Sequence, residues 1–130
     1  MFIEKFLQIQ NQLRIYHWQT KSFAEHKALG KAYEGLDLLI DNFVETYFGA
    51  HGVHKVSTVE SKNGVRKEVA AFNISLSNYG TNSSNKLLDD AISFLTNDLE
   101  SVVEKNTDLL NIRDEMLSIL NKTKYLLTLN

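Results

Sequence analysis

The fold is decided by residues 24–48, which read AEHKALGKAYEGLDLLIDNFVETYF. Apolar side chains recur there every three or four positions, which is the pattern of one face of a long amphipathic helix. The members of this face are Leu29, Tyr33, Leu36, Ile40, Phe43 and Tyr47. Ser22 offers an N-cap with Glu25 in the capping-box position, and Gly49 and Gly52 supply the end of the helix.

Three further helices are predicted around this one. The same periodicity predicts a first helix from Phe2 to about Thr20. A third helix follows the polar loop 81–85, and its predicted inner face contains Leu88, Ile92, Leu95, Leu99 and Val102. The turn 105–107 leads to a fourth helix, for which Thr107 is the predicted N-cap. Because the chain contains no proline, these helices are free of that helix breaker.

The connection between the two pairs of helices, residues 51–80, has a different pattern. Asn63-Gly64 lies between runs that contain several valines, which predicts a type I′ β-hairpin. The alternation of apolar and polar residues is poor, so an irregular crossover is the alternative. A connection of this length is expected to cross from one end of a helical bundle to the other. We therefore predict an all-α, ferritin-like four-helix bundle that forms a single domain over residues 1–130.

Composition excludes several classes of function. The chain has 130 residues, no cysteine and a formal net charge of −2. Without cysteine it has no disulfides, no thiolate metal sites and no cysteine nucleophile. Without a strong basic field, strong DNA binding is not expected. No apolar run approaches the roughly 20 residues that span a bilayer, and the N-terminus lacks a secretion signal, so we expect a cytoplasmic protein with no membrane contact.

The second helix places potential metal ligands on one face. Asp41 and Glu45 are four residues apart, so both carboxylates can approach one divalent cation. His26 shares their face but lies about 22 Å from Asp41 along the helix. The two can therefore share an ion only if a second chain packs antiparallel across a two-fold dimer interface. His17 has the same requirement, and the helix break at 21–23 allows it to face the same point as His26.

Imidazole and carboxylate ligands of this kind suit iron, zinc or manganese. The ordinary alternatives are that the acidic stripe is a solvated helix face and that His17, beside Tyr16 and Trp18, is a packed histidine. Val44 and Phe48 interrupt the acidic stripe, which favours a face that is partly buried at an interface.

A longer pattern extends over both halves of the chain. It consists of His17, Trp18, Gln19, Phe23, His26, Tyr33, Asp41, Glu45 and Gly49, with residues 107–110 and 122–127 in the last helix. This pattern resembles the miniferritins, the Dps family of DNA-binding proteins from starved cells. In that family an aspartate and a glutamate follow the second-helix histidine by 15 and 19 positions, and Asp41 and Glu45 follow His26 by the same 15 and 19.

The resemblance implies an oxidoreductase of the ferroxidase type with its iron site between subunits. His17 and His26 would come from one chain, and Asp41 and Glu45 from its two-fold mate. Fe(II) would bind there and be oxidised by hydrogen peroxide or oxygen, and ferric mineral would be stored inside a hollow homo-oligomer. Twelve subunits are the family expectation, and a dimer is the alternative for this shorter chain.

The chain departs from the miniferritin pattern at Gly30, where the family carries an acidic residue. Glu34 or Asp37 would then substitute as the missing ligand. The crossover also lacks the short helix that the family uses at its dimer interface. These departures support a second hypothesis, a ferritin-like structural or interaction module that has lost full metal chemistry.

Overall fold

The computed structural model describes residues 2–55, 57–70 and 72–129, with the backbone alone for 57–60 and 68–70. Its elements are α1 (Phe2–Gln19), α2 (Phe23–His51), β1 (Ser57–Lys62), β2 (Val65–Ala70), α3 (Ser83–Ser93), α4 (Glu100–Val103) and α5 (Thr107–Leu127). The predicted all-α class is confirmed, with one small sheet added. No helix within these described ranges is long and apolar enough to cross a membrane.

The first two helices match their predicted positions closely. Ser22 is the N-cap of α2, and its Oγ accepts a hydrogen bond from the backbone N–H of Glu25 at 3.2 Å. In a complete capping box the Glu25 side chain would accept from the backbone N–H of Ser22. Here that N–H donates to Thr20 Oγ1 instead, at 3.2 Å. Gly52, with φ +90°, is the C-cap, whereas Gly49 lies inside the helix rather than ending it.

The third helix is not continuous, which corrects the prediction. A π-helical turn, Phe94–Asp98, separates α3 from α4, and Leu99 N–H donates to the carbonyl of Phe94 five residues earlier. A π turn accommodates one extra residue and so rotates the apolar face by about one position. Val103 is accordingly buried in place of the predicted Val102, which is only partly buried.

The fourth helix begins one residue earlier than predicted. Asn106 is the N-cap of α5, and Thr107 is the first helical residue. Asn106 has the extended backbone that an N-cap requires, with φ −74° and ψ 100°. Its side chain makes no capping bond; instead, Asp108 Oδ1 accepts from the backbone N–H of Leu109 at 2.8 Å.

The predicted hairpin is present. Strands β1 and β2 pair antiparallel with Lys62 opposite Val65, which leaves Asn63 and Gly64 as the two-residue loop. Both loop residues have positive φ values, 53° and 77°. A type I′ turn demands this conformation, and Asn-Gly tolerates it better than other pairs.

The core lies where four helices meet: α1 packs on α2 and α3, and α5 packs on the same two. Its centre is aromatic, with Phe6 in edge-to-face contact with Phe43 at 5.3 Å and with Phe94 at 5.4 Å between ring centroids. The largest fully buried side chains around them are Leu13, Leu29, Leu36, Leu88, Leu95, Leu99, Leu109, Met116 and Leu120. This core fixes the end of α1 and the start of α2, where His17 and His26 lie.

An extended segment, residues 73–79, runs along α1 and is held by side chains of that helix. Gln12, only 5% exposed, donates from Nε2 to the carbonyl of Ser77 at 2.8 Å and accepts from Ser77 N–H at 2.7 Å. Gln8 contributes a single longer bond, 3.3 Å, to the carbonyl of Ser75. The amide of Gln12 thus pairs with the segment as a neighbouring β-strand would.

We predict that Gln12→Ala lowers the free energy of unfolding by about 1–3 kcal/mol, because it leaves two backbone groups of Ser77 without their partner. Gln8→Ala is the matched control, since it makes the same change in helix propensity but removes only the one long bond. It should cost less than about 1 kcal/mol. Urea unfolding of both variants checks this. Equal decreases in the free energy of unfolding would contradict the role given to the Gln12–Ser77 bonds.

Candidate metal site

The two histidines singled out from the sequence are in direct contact. The connection between α1 and α2 turns sharply enough to stack the rings of His17 and His26, with centroids 3.8 Å apart and planes 14° from parallel. Each ring also bonds to the backbone of the other residue. His17 Nδ1 lies 2.6 Å from the carbonyl oxygen of His26, and His26 Nδ1 lies 2.7 Å from that of His17.

These reciprocal bonds determine where each ring carries its proton. A carbonyl oxygen can only accept, so Nδ1 is the protonated nitrogen of both His17 and His26. In the neutral imidazole, Nε2 then keeps its lone pair. Metal-binding histidines in proteins are prepared in this way, because a bond from one ring nitrogen to a carbonyl fixes the tautomer and orients the other nitrogen.

The stacking limits how metal ions can be shared. The lone pair of each Nε2 lies in the plane of its own ring, and two nearly parallel planes do not converge on one point. The donor set of His17 and His26 therefore fits one ion for each ring better than a single ion held by both.

The pair lies on a surface cleft of about 620 Å³, which Glu34, Lys27 and Lys31 also line. Phe23 stacks beside His26 at 6.4 Å, and Tyr33 meets the ring of His17 edge-on at 5.3 Å. Two lysines against one glutamate make the cleft of a single chain unattractive to a bare cation. Additional carboxylates are needed before this cleft favours metal.

The predicted carboxylates are placed differently from one another. Asp41 and Glu45 are exposed on α2 and distant from the histidines of their own chain. Glu34 is exposed at the cleft. Asp37 is already engaged, since Arg14 Nη2 donates to one oxygen at 2.5 Å and Gln10 Nε2 donates to the other at 2.8 Å.

In the part of the chain that the structure describes, no three His, Asp or Glu side chains are grouped as a metal site. One chain therefore brings His17 and His26 together but leaves Asp41 and Glu45 apart from them. The partial burial of Val44 and Phe48 has a different cause from the predicted interface, because both pack against the core of their own chain.

Gly30 is explained by the histidine pair. A Cβ atom at this position would lie 2.8 Å from His17 Cε1, closer than real Cβ contacts, and 3.1 Å from His17 Nδ1. The ring of His17 therefore occupies the space of any side chain at position 30. The acidic ligand that the miniferritin pattern has here is incompatible with this stacked arrangement.

Sequence reasoning missed the role of Glu25. Its carboxylate does not cap the helix; it accepts from Tyr79 OH at 2.7 Å and from Ser84 Oγ at 2.5 Å. The bond to Glu25 raises the pKa of the Tyr79 phenol, because an ionised phenol could no longer donate to the carboxylate. Nothing near Glu25 in sequence indicates these partners, which are more than 50 residues away.

One protein family matches the chain over residues 17–82, a family of unknown function (DUF5856). The chain belongs to this family. The matched region begins at His17 and includes His26, Asp41 and Glu45, together with the hairpin. No curated protein and no solved structure matches the chain. The family description states no activity, so the resemblance to miniferritins remains a prediction.

We predict that Gly30→Ala destabilises the protein by about 1–3 kcal/mol, because its methyl group displaces the ring of His17. Gly49→Ala in the same helix is the control, since a Cβ there meets nothing within 4 Å. That variant should gain about 0.5–1 kcal/mol from helix propensity. Chemical unfolding should show a lower free energy of unfolding for Gly30→Ala and a higher one for Gly49→Ala. A Gly30→Ala protein as stable as Gly49→Ala would contradict the proposed packing.

Proposed function

We propose that the chain is a ferritin-like four-helix bundle that binds Fe(II) between two copies and oxidises it, as its resemblance to the miniferritins implies. The observation that carries this proposal is the reciprocal pair of His17 and His26, which leaves both Nε2 atoms available as ligands. The four-way packing of α1, α2, α3 and α5 supports the bundle. We place its action in the cytoplasm and expect no strong DNA binding.

The second copy is supported by the charge pattern on α2. The outer face of this helix is basic at Lys27 and Lys31 and acidic at Asp41 and Glu45, and all four side chains are exposed. Leu38 lies between the two ends and is 77% exposed. An antiparallel two-fold pairing of two α2 helices would bury this leucine and bring opposite charges together.

The register of that pairing follows from the charges. If the two-fold axis passes near residue 36, Lys27 faces Glu45 of the second copy and Lys31 faces Asp41 of it. The same axis brings His26 opposite residue 46, next to Glu45. The carboxylates of Asp41 and Glu45 of the second copy then lie close to the lysines that disfavour a cation in the isolated cleft and offset their charge. The same pairing places these carboxylates near the imidazoles.

Fe(II) is the substrate in this proposal. In this proposal the imidazoles bind the ions through Nε2, and Asp41 and Glu45 of the second copy add carboxylate oxygens as ligands. Each Fe(II) loses one electron, and hydrogen peroxide accepts the electrons with protons from solvent to form water. The same site can form in a dimer or in a dodecamer made of such dimers.

We predict that the wild-type protein accelerates oxidation of Fe(II) by hydrogen peroxide, and that His17→Ala or Asp41→Asn reduces this rate about 10–100-fold. The appearance of ferric absorbance after anaerobic loading measures it. Asp98→Asn is the matched control for Asp41→Asn, because it makes the same change on a helix away from the site, and it should leave the rate unchanged. A wild-type rate equal to that of buffer would disprove the proposed activity.

Mixing His17→Ala with Asp41→Asn tests whether the site is shared. In a mixed dimer, one site combines the histidines of the Asp41→Asn chain with the carboxylates of the His17→Ala chain, so all its ligands are intact. The other site carries both substitutions. Random mixing should therefore restore about one quarter of the wild-type rate. No recovery above the average of the two variants, once subunit exchange is demonstrated, would place all ligands in one chain.

We predict that reversing Lys27 and Lys31 to glutamate weakens self-association at least about tenfold, since it places like charges opposite each other. Adding Asp41→Lys and Glu45→Lys restores opposite charges and should restore association. Sedimentation equilibrium at low ionic strength measures both, because salt screens such pairs. Equal association of the reversed and the restored proteins would contradict the antiparallel register.

The second candidate function is a ferritin-like structural or interaction module without complete metal chemistry. Two observations favour it: Gly30 stands at the acidic-ligand position, and no three-ligand group is present among the described residues. Metal that binds a folded site raises the melting temperature. A melting temperature unchanged by Fe(II) or Zn(II) would therefore favour this module over the iron-oxidising protein.

A further inference from the structure

The carboxylate of Glu25 connects three separate parts of the chain. Its Oε2 accepts from Tyr79 OH at 2.7 Å and from Thr20 Oγ1 at 3.0 Å, and its Oε1 accepts from Ser84 Oγ at 2.5 Å. Thr20 belongs to the connection between α1 and α2. Tyr79 lies at the end of the extended segment, and Ser84, 4% exposed, lies in the first turn of α3.

This network surrounds the backbone that carries the histidine pair. Glu25 directly precedes His26, and Thr20 follows His17 by three residues. The carbonyl groups that fix both imidazole tautomers belong to residues 17 and 26 themselves. The distances of 2.6 and 2.7 Å therefore depend on how closely the end of α1 approaches the start of α2, and a separation of about 1 Å more would break both bonds.

The other side of the turn is tied to the same place. Gln19 accepts from the backbone N–H of Tyr79 at 2.6 Å and donates to Asn78 Oδ1 at 2.9 Å. The ring of Tyr79 also meets that of Tyr16 edge-on at 5.9 Å. Tyr79 is thus attached to the last turn of α1 through Gln19 and Tyr16, and to the first turn of α2 through Glu25.

We propose that Glu25 is a positioning residue for the histidine pair: its carboxylate ties the end of α1, the start of α2 and the extended segment together, and so keeps both Nδ1 atoms on the opposing carbonyls. The consequence for iron rests on the proposed function. The consequence for the tautomers does not, because it concerns the metal-free protein. Glu25 itself has no contact with the substrate in this account.

The test compares Glu25→Ala with the wild type by long-range proton–nitrogen NMR spectra of the histidine rings, recorded without metal. The wild type should show His17 and His26 with the proton on Nδ1. Glu25→Ala should show a loss of that single form, with the Nε2-protonated tautomer appearing for both rings. Its Zn(II) affinity should fall about tenfold, as is typical when a supporting contact of a ligand is removed.

Three further variants separate positioning from general destabilisation. Asp90→Ala removes the ion pair with Lys5, another tie between α1 and α3, and should leave the histidine spectrum unchanged. Glu25→Gln keeps one acceptor oxygen and should fall between the wild type and Glu25→Ala. If Glu25→Ala does not fold, Tyr79→Phe removes one bond only and should shift the tautomers in the same direction by less.

A folded Glu25→Ala protein with the wild-type histidine spectrum would overturn the proposal. An equal spectral shift in Asp90→Ala would also overturn it. If Glu25→Ala does not fold, an unchanged histidine spectrum in Tyr79→Phe would do the same. Failure of the proposed function has a different signature. In that case the tautomers change in Glu25→Ala as expected, but the wild-type protein neither binds Zn(II) nor accelerates oxidation of Fe(II).

Discussion

The two hydrogen bonds between His17 and His26 are the constraint on which the rest of the site depends. Each imidazole bonds to the backbone of the other residue, so the end of α1 and the start of α2 must approach closely. The same approach excludes a side chain at Gly30, where the ring of His17 fills the space. It also fixes both protons on Nδ1 and presents two Nε2 lone pairs, the chemistry that a metal ion requires from histidine.

In the proposed function, the electrostatics of one chain are the reason why the histidine pair binds metal only with a second copy. Lys27 and Lys31 share the cleft with the imidazoles, whereas Asp41 and Glu45 lie further along the same helix. A helix with opposite charges at its two ends is complementary to itself when two copies pack antiparallel. Charge balance at the imidazoles and association of the chains are therefore parts of the same arrangement in this account.

The sequence predicts those features that depend on local rules and misses those that depend on contacts between distant segments. Apolar periodicity located α1 and α2, and Asn63-Gly64 identified the hairpin, because both follow from backbone preferences. No local sequence signal indicated the π-helical turn at 94–98. Because of this turn, Val103 is buried rather than Val102. The sequence marked Gly30 as the position of a missing acidic ligand, and its contact with His17 became evident only in three dimensions. The spacing of His17, His26, Asp41 and Glu45 predicted a site shared between chains. The structure of one chain brings His17 and His26 into contact, and the shared site remains a proposal.

Native mass spectrometry of the protein titrated with Zn(II), a redox-inert substitute for Fe(II), can establish whether a second copy completes the metal site. We expect zinc to be retained in dimers or larger even-numbered assemblies, with up to two ions at each histidine pair, and monomers in the same sample to carry none. A monomer that holds as many zinc ions per chain as the assembled protein would contradict a site completed by a second copy.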